Sequence, residues 1–412
     1  RILEYASIQS FMARLSQRPA FETTLHNQAA GLNTSSVRFA LVQYLLTLLI
    51  VALPSALFGL VIFDAFRRLG VNDTTAIICV LGYGLGSTAA PYASNFYSHQ
   101  LVALLTFGAF WLAWLQPAAR PAPRALLCGL LLGWAVISEY PAALLALIIA
   151  VYALYRHGKS WAIGLMLGGA LPGSLLIMYD LVAFGTIMPI GYAYSALWQD
   201  QHHTGFMSLT YPHGEALWGL LFGSFRGLFV RAPWLLLALP GYVYWWRSGK
   251  RRAEWLVVVL APLCGYLFYA SSGMWWGGFA AGPRYLVFVL PFLALPAAYM
   301  AAICWQRLAG RVAVIALIAV SVAIVWIEAV AGALFPTDGI RATWTGYVFP
   351  SWAQGNIARN VGMALGLTGT PSLVPLILVA ATLVTLLFVP LKARPTRHIK
   401  PGTSQAAREH YA

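Results

Sequence analysis

The sequence predicts an all-α, polytopic membrane protein, and three observations support this fold class. Hydrophobic residues make up 60% of the 412 residues and charged residues only 9%, with a mean hydropathy of +0.72. Such a composition is far more apolar than that of a soluble globular domain. Apolar runs of about 20 residues, the length needed to cross a hydrocarbon layer of about 30 Å, recur along the chain. The Arg and Lys residues between these runs are concentrated in alternate connections.

About eleven apolar runs are predicted to be membrane-spanning helices, because a helix satisfies its own backbone hydrogen bonds in lipid. Two of the runs are short, and the proline in residues 139–141 between them disfavours helix at the preceding position, which predicts a tight turn. Near the end of the first run, Asp64 is expected to pair with Arg67 or Arg68 at helical spacing. The predicted spans are 39–66, 75–93, 99–116, 125–138, 141–155, 161–183, 232–246, 254–270, 285–305, 312–334 and 372–391.

The alternation of charge also predicts how the chain is oriented in the plasma (inner) membrane, because basic connections face the cytoplasm. On this basis residues 1–36 form an outer amphipathic segment, 37–391 the multi-span domain and 392–412 a basic cytoplasmic tail. The net charge of +14 is therefore explained by topology, and its dispersal over many connections argues against nucleic-acid binding. The predicted outer loops are 184–231, 271–284 and 335–371, with the basic residues Arg226, Arg231, Arg284, Arg341 and Arg359.

Function is expected at the outer helix ends and loops, because the spans themselves contain few polar residues. Glu139 and Asp180 stand at outer helix ends, where a carboxylate could face a cavity. His99 begins a span and could ligate a pigment or a metal ion, although a single His at a helix end is more often simply hydrogen-bonded. Glu328 lies inside a span without an obvious local partner, which is costly in a membrane.

The Gly-rich outer segment 273–285 combines the residue types of a sugar-phosphate site. Trp275 and Trp276 provide flat apolar faces, and Arg284 with Tyr285 provides a cation beside an aromatic ring. Aromatic residues at this depth are equally typical of an anchor at the membrane interface, so both interpretations stay open.

No metal site is specified by the sequence, although a divalent metal ion stays an alternative. The loop 184–231 contains histidines and carboxylates that could bind Zn²⁺ or Mn²⁺, but they lack the HxxxH and HExxH spacings. The four cysteines lie in different spans, which predicts buried thiols rather than a disulfide framework or a haem attachment site. The loop residues in question are Asp200, His202, His203, His213 and Glu215.

Five pieces of the chain, in this order, resemble bacterial polyprenyl-phosphate-dependent glycosyltransferases of the GT-C superfamily, such as protein O-mannosyltransferases and the aminoarabinose transferase. They are YASNFYSHQLVALL (92–105), SEYPAALLAL (138–147), YDLVAFGTIMPIGY (179–192), LLFGSFRGLFVRAPWLLLALPG (220–241) and WWGGFAAGPRYLVFVLPFLALP (275–296). The resemblance covers about 25–300 and implies a fold with an outer-face cavity.

In such enzymes a sugar passes from a polyprenyl-phosphate carrier to an acceptor, a carboxylate of the first outer loop acts as base, and cations hold the carrier phosphate. The resemblance implies that Arg226 and Arg284, with Tyr285 beside the latter, are the phosphate-side residues in this chain.

The chain departs from the family pattern in its first outer loop. Where relatives carry Asp/Asn-Lys-Ala-Pro-Gly, residues 27–31 read Asn-Gln-Ala-Ala-Gly, so Gln28 offers a hydrogen bond without a charge. The expected catalytic Asp is not seen and is expected either upstream of Arg1 or lost, which leaves Glu4 and Glu22 as poor substitutes. Glu139 and Asp180 are candidate bases if they reach the same outer cavity as Arg284. Two hypotheses therefore stay open: a glycosyltransferase acting on a lipid-linked sugar, or a catalytically degenerate scaffold or accessory subunit of a membrane complex. A transporter is disfavoured because no inverted repeat is evident.

Overall fold

The computed structural model describes residues 26–27, 31–32, 34–115, 121–187, 200, 205, 208–332 and 335–387. The regular secondary structure of the described chain is helical apart from two isolated bridges and the two-residue strands β1 (His26–Asn27) and β2 (Gly31–Leu32), which pair antiparallel. The predicted all-α class is confirmed.

The first half of the described chain contains eight helices, most of them separated by short turns. They are α1 (Thr34–Leu46), joined through a π-helical turn (Thr47–Ala52) to α2 (Leu53–Arg68), α3 (Asp73–Leu85), α4 (Ala89–Ala93), α5 (Ser98–Trp114), α6 (Pro121–Ser138), α7 (Ala142–His157) and α8 (Ser160–Phe184). The predicted turn at 139–141 is confirmed, and so is the pairing of Asp64, whose partner is Arg68 at 2.5 Å.

The second half alternates long helices with short ones near the loops. It comprises α9 (Gly214–Leu221), α10 (Leu228–Arg231), a 3-10 turn (Pro233–Leu237) leading into α11 (Ala238–Arg247), α12 (Arg252–Ala270), a 3-10 turn (Arg284–Val289) leading into α13 (Leu290–Cys304), α14 (Leu308–Ala329), a π-helical turn (Trp344–Val348) leading into α15 (Phe349–Ala353), α16 (Val361–Ala364), and a 3-10 turn (Thr370–Leu373) leading into α17 (Val374–Leu387).

Six helices of the described chain are long and apolar enough to cross a membrane, in agreement with the predicted membrane class. Each predicted span overlaps a helix of the described chain, but the full count of eleven spans stays a prediction. The six are Ser35–Arg68, Pro121–Ser138, Ser160–Phe184, Arg252–Ala270, Arg284–Cys304 and Leu308–Ala329, and shorter apolar helices cover Asp73–Leu85, Ala142–His157 and Thr370–Leu386.

The segment Arg284–Cys304 is the centre of the fold, since 72% of its most apolar stretch is buried by the protein itself. It packs against α3, α11 and α12. The rings of Phe292, Phe107 and Phe110 meet at centroid distances of 5.2 to 5.7 Å, which joins α13 to α5. A side chain at the head of this segment is therefore held by the most rigidly packed helix of the protein.

Helices α6 and α8 make the closest helix contact, and glycine makes it possible. Ala125 meets Gly164, Gly129 meets Gly168 and Gly133 meets Pro172, each pair 39 residues apart, so the two helices run parallel. A Cβ atom on Gly168 would lie 2.6 Å from the Leu130 nitrogen, which is too close for any side chain. Small residues four apart let helix backbones approach in this way in membranes. The register also brings Asp180 of α8 to the end of α6 that precedes Glu139.

Candidate functional site

Arg226 shapes the loop 273–283 that connects α12 to the Arg284 turn. Its side chain is fully buried, and its guanidinium donates to the carbonyl oxygens of Trp276 (2.8 Å), Gly278 (2.7 Å) and Ala280 (2.9 Å). Burial lowers the pKa of Arg226 to about 10, which still leaves it charged at neutral pH. A role for Arg226 in phosphate binding stays a prediction, and it would require exchanging these three hydrogen bonds.

A buried ion pair fixes the far end of the same loop. Arg231 Nε lies 2.7 Å and Nη2 3.0 Å from the two carboxylate oxygens of Glu328, which also accepts from the Gly282 backbone N–H at 3.3 Å. Gly282 has a φ of 62°, and a Cβ there would lie 2.6 Å from Thr88 Cγ2 and 2.7 Å from Arg231 Cδ. The costly intramembrane carboxylate thus has its partner on a distant part of the sequence.

Arg284 differs from Arg231 because no carboxylate of the described chain pairs with it, and from Arg226 because its Nε is not bonded to backbone carbonyls. Its Cζ atom lies 5.1 Å from the ring of Tyr285 and 5.7 Å from the ring of Tyr97. Its Nε atom is buried and makes no hydrogen bond, and no carboxylate of the described chain forms an ion pair with it. A cation that is held among aromatic rings without a carboxylate partner favours the binding of a negatively charged ligand.

Glu139 and His99, which the sequence singled out separately, are in contact. His99 Nδ1 lies 2.5 Å from Glu139 Oε1, and the Ser98 hydroxyl donates to the same oxygen at 2.7 Å. The His99 and Glu139 side chains are 8% and 10% exposed. The contact arises because α5 begins at Ser98 beside the turn that follows α6, so it joins residues from two neighbouring helix ends.

Stacked rings connect His99 with Arg284, and we call Tyr92, Tyr97, His99, Tyr269, Tyr285 and Phe335 the aromatic cluster. The His99 ring stacks on Tyr97 at 6.0 Å and meets the edge of Tyr285 at 5.8 Å. Tyr285 in turn stacks on Tyr269 at 4.3 Å. The carboxylate and the cation therefore flank one continuous group of rings.

Trp275 and Trp276, expected from the sequence to offer flat faces to a sugar, pack against other parts of the protein. Trp275 is buried against Gly219 of α9, and its ring meets the Trp276 ring edge-on at 6.1 Å. Trp276 points towards the segment 335–360, where its Nε1 donates to Asp338 at 3.3 Å. Their substrate-binding role stays a prediction, while the structure shows them packing the loop.

A cavity of about 1190 Å³ adjoins the aromatic cluster, and Tyr97 and Phe335 line both. This volume exceeds that of most small-molecule sites. Asn95 donates to the Pro91 carbonyl at 2.7 Å, which leaves its side-chain oxygen free to accept from a ligand. The polar residues of the wall are Tyr44, Ser94, Asn95, Tyr97, Thr337, Tyr347, Asn356, Arg359 and Asn360, and its apolar residues include Phe279, Trp326, Val330, Phe335 and Leu376.

Some predicted site residues are not brought to this cluster. Asp180 is buried near the end of α8 and makes no hydrogen bond to any residue that the structure describes. Gln28, His202 and His203 lie outside the described residues. Within the described ranges, no three His, Cys, Asp or Glu side chains lie close enough together to hold a metal ion.

Sequence reasoning missed that Tyr97 and Asn95 line a cavity, and that Arg359 belongs to the same wall. The turn 91–100 had the relevant signal, an unusual density of hydroxyl, amide and aromatic groups, but interface anchoring explained it equally well. Comparison of the chain with protein-family models, with curated protein sequences and with solved structures gives no match.

Proposed function

We propose that this protein is a membrane glycosyltransferase that moves a sugar from a polyprenyl-phosphate carrier to an acceptor at the outer face of the plasma membrane. The observation that supports it most is the uncompensated charge of Arg284, which lies across one group of rings from the contact of Glu139 with His99. A large, mainly apolar cavity with several polar side chains in its wall adjoins those rings. The eleven-span topology with the cavity outside belongs to this proposal.

Arg284 is the group that holds the carrier phosphate. When the bond between the sugar C1 and the phosphate oxygen breaks, the electron pair leaves with the phosphate, and negative charge grows on that oxygen. A guanidinium fixed in a low-dielectric surrounding stabilises such charge more strongly than one in water. Arg284 meets this requirement because it begins the 3-10 turn that leads into α13, and the rings of Tyr97 and Tyr285 flank its side chain.

Glu139 is the general base. The acceptor hydroxyl gives its proton to the Glu139 carboxylate as its oxygen forms the new bond to the sugar C1. His99 and Ser98 contact the same carboxylate oxygen and so orient the other oxygen. The acceptor enters through the cavity and passes the edge of Tyr97, which separates the cavity from His99.

A catalytically degenerate scaffold is the second candidate, and a specific observation favours it. Two cations of the same end, Arg226 and Arg231, are occupied by backbone carbonyls and by Glu328. The aromatic cluster also fills much of the space between Arg284 and Glu139 with the protein's own rings. In that case the outer segments serve as a contact surface for a larger membrane complex.

Binding of undecaprenyl phosphate to the protein in nanodiscs tests the role of Arg284. Arg284→Ala should weaken binding by about 1.5–3 kcal/mol, the range for a charge-assisted hydrogen bond. Arg341→Ala is the matched control, because Arg341 also lies over two rings, those of Phe225 and Trp276, but is half-exposed. Equal carrier affinity in the Arg284→Ala and unmodified proteins would remove the assignment.

Turnover then separates the enzyme from the scaffold. With an undecaprenyl-phosphate-linked hexose as donor and a membrane extract as acceptor, Glu139→Gln should lower the rate of sugar transfer at least about 100-fold. Carrier binding should be retained. Carrier binding by the unmodified protein without any transfer would favour the scaffold.

A further inference from the structure

A second group of cations lies at the opposite end of the helices, where α7 ends and α12 begins. Arg156 Nη1 is 3.6 Å from Glu254 Oε1, and the Tyr152 hydroxyl donates to the same oxygen at 2.9 Å. Glu254 is buried in the first turn of α12. This end is remote from the cavity, because α12 runs from Arg252 here to Ala270, beside the loop 273–283.

Positive charge exceeds negative charge in this group. Among the described residues, Glu254 is the carboxylate beside the Tyr152 hydroxyl, whereas Arg156 and Arg251 both lie near that hydroxyl. Arg156 Nε is buried and has no hydrogen-bond partner in the part of the chain that the structure describes. The Nε edge of the Arg156 guanidinium is thus buried without a hydrogen-bond acceptor. A buried donor of this kind is unfavourable unless a ligand accepts its hydrogen bond.

The backbone directs Arg251 towards this group. Arg251 has a φ of 55°, a left-handed conformation that is rare for a long side chain, and its Cζ atom lies 5.4 Å from the Trp114 ring. Trp245 Nε1 donates to the Lys250 carbonyl at 3.1 Å and so fixes the turn. The next residue, Arg252, lies 5.0 Å from the Trp246 ring.

The surrounding surface is that of a protein facing lipid. Leu239, Val243 and Trp246 of α11 are exposed, and so is Leu256, one helical turn after Arg252. Tryptophan at the edge of an apolar helix surface is typical of the headgroup region. An acyl chain lying on these apolar faces would place its phosphate beside Arg252 and the adjoining Arg251, which shares the neighbourhood of Tyr152 with Arg156.

We propose that Arg156, Arg251 and Arg252 form a binding site for the phosphate headgroup of an anionic phospholipid. Guanidinium groups suit this ligand because they bind phosphate oxygens through two parallel hydrogen bonds. The site is separate from the proposed glycosyl-transfer site and does not depend on it, since its residues lie at the other end of α7 and α12.

The test measures the affinity of phosphatidylglycerol for the purified full chain in phosphatidylcholine nanodiscs. Arg251→Gln should weaken it about tenfold or more, because a charged hydrogen-bond donor to phosphate is lost. Arg251 is exposed and makes no contact with Glu254, so this variant should keep its melting temperature. Arg307→Gln removes an exposed charge at the same end outside the site and should change affinity less than about twofold.

Three results would overturn the proposal. They are an equal loss in Arg251→Gln and Arg307→Gln, full affinity in Arg251→Lys, and stabilisation by inorganic phosphate in detergent as large as that by the lipid. The first two would show diffuse attraction to a charged bilayer, since a lysine keeps the charge but not the paired hydrogen bonds. The third would identify a soluble anion as the ligand.

Discussion

Replacing Gly168 with Ala should loosen the contact between α6 and α8 and thereby disturb the candidate site. A Cβ on Gly168 would lie 2.6 Å from the Leu130 nitrogen, and it would be closer still to the Leu126 carbonyl oxygen. Both atoms belong to helix backbone, which cannot rotate away as a flexible side chain would. The helices must therefore separate by about 1 Å before the new methyl group reaches ordinary van der Waals distance.

The cost follows from this displacement. Forcing an extra methyl group into a closely packed interface destabilises a protein by about 1–3 kcal/mol. Helix α6 ends next to Glu139, whose oxygen lies 2.5 Å from His99 Nδ1. A displacement of about 1 Å at a catalytic group can reduce a rate about 100-fold, so any transfer activity should fall more than the stability loss alone explains.

Thermal unfolding in detergent gives the measurement, and α8 contains its own control. Gly173 lies in the same helix, and no atom lies within 4 Å of the place where its Cβ would stand. We expect Gly168→Ala to lower the melting temperature, and Gly173→Ala to leave it unchanged or raise it slightly, because alanine favours helix. Equal melting temperatures in the two variants would refute the packing argument.

Two further predictions concern the loop 273–283. Glu328→Gln leaves Arg231 buried without a counter-charge and should lower the free energy of unfolding, measured by chemical denaturation, by about 3–5 kcal/mol. The matched control Glu215→Gln, at an exposed position, should have no measurable effect. An unchanged free energy of unfolding in Glu328→Gln would contradict the role of the pair. Phe279→Cys should be labelled by an impermeant maleimide only from outside the cell and Ser248→Cys only from the cytoplasm, and the reverse result would overturn the topology.

The helices could be predicted from the sequence because their signal is local. An apolar run defines a span within its own 20 or so residues, and the proline after Glu139 marks a turn by its effect on one neighbour. Asp64 and Arg68 could be paired for the same reason, since one helical turn separates them. In each case the determining atoms lie close together in the sequence.

The contacts of the site could not be predicted, because they join distant segments. Glu328 and Arg231 are 97 positions apart, and Arg226 contacts carbonyl groups 50 to 54 positions away. The sequence identified Arg226 and Arg284 as equivalent cations, and only the fold distinguishes a guanidinium bonded to three carbonyls from one without an anion. Backbone carbonyls are present at every residue, so no residue type indicates which of them an arginine will bind.

The charge of Arg284 and the shape of the cavity wall come from different parts of the chain, so mutation can change one without the other. The cation stands at the head of the most buried helix, while much of the cavity wall comes from residues 335–376, which belong to a different part of the chain. Substitutions in that wall can alter which molecule fits without moving the charge at Arg284. Related proteins could therefore diverge in ligand preference through substitutions in residues 335–376, while Arg284 and the rings around it stay the same.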